Sequence, residues 1–324
     1  MYKKKILYVY EERIPVDLQK IIIQKIKRKK FNLRKMTYKT PILQQKKLFS
    51  WCDAVFFAPG RKISEDVIKE ATRCKIFQLW SSGYEKFSWE LSKKYKIPVC
   101  TNGSHNKIAV AEHAMMLLLS LSKKIIYFNQ ITKLGRWENN SHGLDLFELK
   151  NKNIGIFGLG KIGLYFAKIC MSFGMNVFYH DLIRKKKYEK KYDFKYLSKN
   201  SLLKKCEIFS LHLHLNNDTL NYLNSKNLKK IKKGSIIINV SRAELVERNC
   251  LIELLKKGRL RALGIDAHYV EPTKKNDELL SLPNVICTPH TAGSTKDTYE
   301  RVVDNCIDNI KTMLSKKKCK YRVV

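Results

Sequence analysis

The sequence predicts an α/β protein built as two doubly wound parallel-sheet domains, and three observations carry that expectation. Short β-rich runs alternate with helical patterns over the first hundred or so residues, a second alternation starts at Asn153, and one long apolar-periodic helix stands between them. With 324 residues, 44% of them hydrophobic, the chain can bury a core in each of two domains.

The first strand signal is KILYVY at 5–10, followed by the helix-like IIIQKIKRKK. DAVFFAPG at 53–60, SEDVIKEA, KIFQLW and WELSKKYKIPV continue the alternation, with Gly60, Gly83, Pro98 and Gly103 punctuating the loops after the strands. Such carboxyl-end loops are where open α/β sheets bind ligands. Residues Ile108 to about Gln130 read as one helix joining the domains, with Glu112 near its start and Lys123 and Lys124 later, as the helix dipole favours. GRWENNSHGLDLFELKNK after it lacks periodicity and reads as an extended loop or arm. Six further strand signals follow: NIGIFG, MNVFYHD, IFSLHLHL, SIIINVSR, LGIDAH and NVICTPH. The charged run IRKKKYEKKYDFKY at 183–196 reads as a solvated surface connection. The last helical pattern, Ser294 to about Leu314, is expected to pack back on the first domain.

Composition removes several classes. No apolar stretch reaches the roughly 20 residues of a membrane span, and the short run Ile6–Tyr10 meets Glu11 and Glu12, so it does not read as a secretion signal. The expected location is cytoplasmic. Nine cysteines are scattered singly with no CxxC pair, which fits neither a disulfide framework nor a zinc site, and no metal is expected. They read as reduced, mostly buried small apolar residues. The excess of 64 Lys+Arg over 29 Asp+Glu gives a formal charge of +35, which attracts polyanions non-specifically. The lysines are spread along the chain without a nucleic-acid motif, so the bias reads as a surface property that also suits an anionic substrate.

One motif carries specific chemistry. Gly158, Gly160 and Gly163 form GLGKIG between a strand and a helix, with Asp181 at the end of the next strand. The first glycine permits the tight turn, the second lets backbone approach a pyrophosphate, and the third allows close helix packing. Lys161 and Ile162 lie in the same turn, where the helix N-terminus would meet phosphate. Asp181 can accept from both ribose hydroxyls and would repel a 2′-phosphate, which favours NAD over NADP, although Arg184 and the lysines after it work against that preference.

Further segments resemble the D-isomer-specific 2-hydroxyacid dehydrogenase family in order and spacing, over roughly residues 50 to 310. The resemblance implies a flavodoxin-like substrate domain (1–104 and 295–324) split around a Rossmann NAD-binding domain (105–294). KKGSIIINVSRAELV at 232–246 is similar to the segment with the catalytic arginine, here Arg242, and carries Val240 as a cofactor contact. LGIDAHYVEP at 263–272 is similar to the segment holding a cofactor-contacting aspartate and the catalytic glutamate, here Asp266 and Glu271. LLSLPNVICTPHTAGST at 279–295 resembles the segment with the catalytic histidine, here His290. WSSGYEKF at 80–87 resembles the loop that meets the substrate carboxylate, implicating Ser82 and Gly83, and NKIAVAEHAMMLLL at 106–119 resembles the hinge helix, with Asn106 and Val110 near the cofactor. GRW at 135–137 begins a stretch similar to a dimer-forming arm, so a homodimer is implied.

The implied reaction moves a hydride between nicotinamide and C2 of a small anionic 2-keto or 2-hydroxy acid. A guanidinium suits the substrate carboxylate, and an imidazole oriented by a carboxylate suits proton transfer. Each residue has a structural alternative: Arg242 as a strand-end charge, Glu271 as a turn residue, His290 as a loop cap. His113 reads as packed or interdomain, and His105, His142, His180 and His268 have no evident partner. The sequence departs from the family at Ala243, Glu247, His214 and Glu85. Ala243 would tilt Arg242 if a positive φ is needed there. The reading from a different class is an NAD-sensing scaffold similar to the family's corepressors.

Overall fold

The structure, a computed structural model, describes residues 3–138 and 143–324. The chain forms two compact units, one of Met1–Asn106 with Ser294–Val324, the other of Lys107–Gly293.

In the first unit the elements run β1 (Lys5–Tyr10), α1 (Val16–Arg28), β2 (Asn32–Thr37), α2 (Ile42–Trp51), β3 (Ala54–Ala58), α3 (Glu65–Ile68), β4 (Phe77–Leu79), α4 (Trp89–Lys94) and β5 (Val99–Cys100). All pairings are parallel, in the flavodoxin-like order β2-β1-β3-β4-β5. Because side chains alternate along a strand, β1 sends Ile6 and Tyr8 to one core and Leu7 and Val9 to the other. The unbroken apolar run of β3 is buried at every position, as a central parallel strand requires. The C-terminal tail then lies antiparallel along β5, where Val323 N–H donates to Val99 O and Thr101 N–H to Tyr321 O, covering that sheet edge.

The second unit runs α5 (Lys107–Lys123), α6 (Ile125–Lys133), β6 (Asn153–Phe157), α7 (Lys161–Ser172), β7 (Asn176–His180), α8 (Lys186–Tyr192), β8 (Lys195–Tyr196), α9 (Lys199–Lys205), β9 (Ile208–Leu211), α10 (Ser225–Leu228), β10 (Ser235–Asn239), α11 (Arg248–Lys256), β11 (Leu260–Ile265) and β12 (Val285–Cys287). Its seven parallel strands are ordered β12-β11-β10-β9-β6-β7-β8, so the winding reverses between β6 and β9. In this architecture ligands usually bind at the carboxyl edge of the sheet where the strand order reverses. The last helix, α12 (Lys296–Leu314), belongs to the first unit and buries Val302, Val303, Cys306, Ile307 and Ile310 against Ile6, Tyr8 and Phe56, as its periodicity predicts.

Two expectations need correction. The helix expected from Ile108 to Gln130 is two helices, broken at Lys124 in left-handed backbone (φ 49°). The carbonyl of Ser122 accepts Phe147 N–H from outside the helix, and Lys124 Nζ pairs with Asp145 at 3.0 Å, so local partners replace helix continuity. The charged run at 183–196 is not a bare connection: it forms α8 and the edge strand β8. Tyr188 and Tyr192 from α8 pack on the core, which charge alone does not disclose. All nine cysteines are free, with Cys287 exposed and the rest buried. Among the described residues no helix is long and apolar enough to cross a membrane. His142 lies outside the described residues.

Candidate active site

The glycine loop joins β6 to α7 at the sheet reversal. Gly158 has φ +90°, and a Cβ there would sit 2.7 Å from the His212 carbonyl oxygen, so only glycine fits the turn. A Cβ on Gly163 would lie 2.0 Å from Gly158 O, which is how closely α7 is docked to the loop. Gly160, the residue before α7, faces open space, and a methyl group there would have nothing within 4 Å. Gly160 caps α7, and the first N–H groups of a helix have no partner within it. The loop thus has the form a pyrophosphate needs, bounded by glycine on its inner side and by Lys161 and Ile162 at the helix start.

Asp181 follows β7 beside this loop. Its carboxylate accepts Leu159 N–H at 2.7 Å and Ile183 N–H at 3.1 Å, so it braces the glycine turn. Arg184, whose charge argues for a 2′-phosphate, is committed elsewhere: its guanidinium forks onto Glu189 at 2.8–3.2 Å. That fork and the Tyr179 hydroxyl hold the Glu189 carboxyl down to about 2. Val110 and Val240 are buried in one and the same hydrophobic core.

The two candidate acid-base residues follow neighbouring strands of the same sheet. His290 follows β12 and Glu271 follows β11, and His290 Nδ1 lies 2.7 Å from Glu271 Oε1. Glu271 Oε1 also accepts the backbone N–H of His268 at 3.1 Å, which fixes the carboxylate before the imidazole meets it. Nδ1 is engaged by Glu271, and the His290 side chain is 43% exposed. His290 holds φ +56°, an uncommon conformation for a side-chain-bearing residue.

Arg242 stands at the carboxyl end of β10, two strands or about 10 Å along the sheet from β12. Asn239, 1% exposed, shapes this turn: its amide donates to Arg242 O at 2.8 Å and its oxygen accepts Ser241 N–H at 3.1 Å. Arg242 Nη1 donates to Ser241 O at 2.7 Å. Ala243 opens a short 3-10 turn and has no positive φ, so the steric cost expected of alanine does not arise.

Asp266 directly follows β11 and is held from several sides. It is 1% exposed, and its two oxygens accept Thr288 Oγ1–H at 2.6 Å, Thr291 N–H at 2.9 Å and Ala292 N–H at 2.8 Å. In the first unit, Ser82 Oγ lies 2.5 Å from Asn102 Oδ1 and 3.1 Å from Asn106 Oδ1, and Ser81 Oγ donates to Gly83 O at 2.5 Å, which stiffens the loop after β4. Three histidines without evident partners in the sequence have them: His180 Nδ1 meets Leu197 O at 2.9 Å, His105 stacks edge-on against Tyr321, and His268 Nε2 meets Thr288 O at 2.8 Å; His113, expected to be packed or interdomain, has Nε2 2.8 Å from Thr288 Oγ1. The last two contacts span 20 and 175 residues, and sequence reasoning misses Thr288 because no local spacing signals such a meeting.

A glycine turn at the reversal of a parallel sheet, with an imidazole-carboxylate pair and an arginine on the same edge, defines the class: a nucleotide-dependent oxidoreductase. Residues 115–292 match the family described as D-isomer specific 2-hydroxyacid dehydrogenase, NAD binding domain. A glyoxylate reductase of Thermococcus litoralis is 30% identical over 263 residues, covering 80% of this chain and 79% of that protein. A hydroxypyruvate reductase of Blautia hydrogenotrophica is 30% identical over 253 residues, covering 77% and 78%. Among solved structures, an acyclic imino acid reductase in complex with NADPH and D-arginine superposes with TM-score 0.85 at 26% identity, covering 99% of this chain and 100% of that one. The Staphylococcus aureus formate dehydrogenase in complex with NAD superposes at 0.84, covering 99% of both chains, and at 23% identity shows the fold alone. The chain belongs to the D-isomer specific 2-hydroxyacid dehydrogenase family. It is an NAD-dependent oxidoreductase.

Proposed function

We propose that the protein reduces a small 2-keto acid to the D-2-hydroxy acid, or runs the reverse oxidation, with Arg242, Glu271 and His290 as its catalytic residues. The observation that carries this reading is the 2.7 Å contact between His290 Nδ1 and Glu271 Oε1 on the sheet edge that also holds the glycine loop. NAD, when bound, supplies or accepts the hydride at its nicotinamide. Arg242 binds the substrate carboxylate through directional, charge-assisted hydrogen bonds and polarises the keto oxygen. His290 delivers a proton from Nε2 to that oxygen during reduction and takes it back during oxidation, while Glu271 keeps the ring in the tautomer and orientation this requires. Gly158, Gly160, Lys161, Ile162 and Gly163 receive the pyrophosphate, Asp181 the ribose, and Val110, Val240 and Asp266 the nicotinamide side. Ser82 and Gly83 contribute to the carboxylate from residues 1–104 and 295–324, the substrate domain, with 105–294 as the cofactor domain.

The names of the relatives, glyoxylate and hydroxypyruvate reductases, support a compact keto acid as substrate. The test is NADH oxidation by the purified protein with glyoxylate, hydroxypyruvate, pyruvate and a branched 2-keto acid. Turnover that His290→Ala abolishes without loss of NADH binding supports the assignment, and full activity of that variant removes His290 from the mechanism.

The assembly proposed is a homodimer, and the location cytoplasmic. Exposed apolar side chains collect along α5, α6 and the segment after them: Met116, Ile125, Ile126, Tyr127, Leu134 and Trp137. A second copy is the occupant that fits, since this segment resembles a dimer-forming arm and a monomer rarely leaves such a surface bare. Light scattering would read twice the 38.0 kDa chain mass, and a monomer at micromolar concentration would refute it. Free thiols throughout accord with a reducing compartment.

A further inference from the structure

Thr288 sits at the end of β12, two residues before His290, and every polar atom it has is used. Its N–H donates to Ile265 O at 3.0 Å, which continues the pairing with β11. Its hydroxyl donates to Asp266 Oδ1 at 2.6 Å, so the 2.8 Å contact with His113 Nε2 requires that nitrogen to be the donor. Its carbonyl accepts the His290 N–H at 2.9 Å and the His268 Nε2–H at 2.8 Å. Two imidazoles from distant parts of the chain therefore converge on one threonine, one on each of its oxygens.

The consequence concerns both halves of the reaction. Residues 288–292 wrap the buried Asp266 carboxylate with three donors, one of them the Thr288 hydroxyl, and His290 lies inside that wrap with its side chain turned to Glu271. The left-handed backbone of His290 (φ +56°) is disfavoured by itself and persists only if its neighbours fix it. Burial holds the His113 imidazole below its ordinary value against the opposing pull of Asp266, in keeping with a ring that serves as a neutral donor.

We propose that Thr288 is a positioning residue that couples the Asp266 carboxylate to the proton-transferring His290, with His113 clamping its hydroxyl and His268 its carbonyl. This rests on the reading of Asp266 as a nicotinamide-side contact and of His290 with Glu271 as the acid-base pair. Through the hydroxyl, Thr288 sets how Asp266 presents itself to the cofactor; through the carbonyl, it sets where the His290 ring stands.

The experiment compares Thr288→Val, which keeps shape and loses the hydroxyl, with Thr288→Ser, which keeps the hydroxyl. NADH affinity is read by fluorescence in the absence of any keto acid, and kcat and KM are then measured with the 2-keto acid that the wild type turns over. Thr288→Val is expected to weaken NADH binding about 10- to 100-fold and to lower kcat, with the KM for the keto acid little changed, because one hydrogen bond to a buried carboxylate is lost. Thr288→Ser is expected to stay within about threefold of wild type in both, since the hydrogen bond remains. Wild-type NADH affinity in Thr288→Val, or equal damage in Thr288→Ser, would overturn the proposal, the second result pointing to packing alone. If Thr288→Val does not fold, His113→Leu takes its place, and unchanged NADH affinity there overturns it equally. A wild-type protein that binds NADH yet turns over no 2-keto acid would defeat the proposed function, while the NADH affinities would still decide the role of Thr288.

Discussion

Gly160 and Gly163 lie three residues apart in one turn, yet the structure gives alanine opposite consequences at the two positions. At Gly163 a methyl carbon would stand 2.0 Å from Gly158 O, whereas carbon-oxygen contacts ordinarily begin at about 3.3 Å, so backbone must move by on the order of 1 Å. Overpacking of that kind costs about 1–3 kcal/mol, which for a unit of this size corresponds to a Tm lowered by roughly 2–12 °C. At Gly160 a methyl meets nothing, and its backbone (φ −72°, ψ −165°) is one that alanine adopts freely, so Tm should hold. The same methyl fills the space into which a pyrophosphate would descend. NADH affinity should fall at least tenfold, equivalent to about 1.4 kcal/mol. The assay pairs thermal melts of the apoprotein with NADH fluorescence titrations of both variants. Wild-type NADH affinity in Gly160→Ala would refute the placement of the phosphates, and a wild-type Tm in Gly163→Ala would refute the account of the turn.

Other consequences are equally direct. Glu271→Gln keeps the size of the side chain but not its charge, and kcat should fall by about 10²- to 10⁴-fold with NADH affinity intact, as steady-state kinetics and NADH titration would show. Arg242→Lys loses the planar fork and should raise the keto-acid KM while lowering kcat; an unchanged KM would move carboxylate binding to other residues. Asp181→Ala should shift the NADPH-to-NADH ratio of kcat/KM toward NADPH by about tenfold or more, because the repulsive carboxylate is gone while Arg184 stays with Glu189, and the lost brace on Leu159 N–H weakens both cofactors alike. His212, half-buried against the glycine loop with Nε2 2.9 Å from Ser210 Oγ, is pushed down by desolvation to about 3. The unfolded chain takes up this proton first, so stability present above about pH 6.5 is lost as pH falls toward 3; melts of the wild type should show a steeper acid decline than His212→Gln.

The legibility of this protein in its sequence follows the range of the interactions concerned. β3, β6 and β10 are central strands buried on both faces, and their unbroken apolar runs announce them. β2 is an edge strand whose residues NLRKMT bury only Met36, and α2 leaves Ile42 and Leu43 exposed, so neither has a pattern to read. The glycine turn is legible because its function needs residues adjacent in sequence. The catalytic roles proposed for Arg242, Glu271 and His290 come from family resemblance, since nothing local distinguishes them from ordinary strand-end charges. Thr288, His113 and His268 are beyond both routes: their meeting is made by the pairing of β11 with β12 and by the packing of α5 on the sheet.

The central claim is that this sheet edge performs hydride transfer between NAD and a 2-keto acid, and its most direct test is the loss of NADH absorbance on mixing the purified protein with the keto-acid panel, wild type beside His290→Ala. The account predicts turnover of at least one compact keto acid by the wild type and its loss in the variant with NADH binding kept. Tight NADH binding with no turnover of any keto acid, or equal turnover by both proteins, would contradict it.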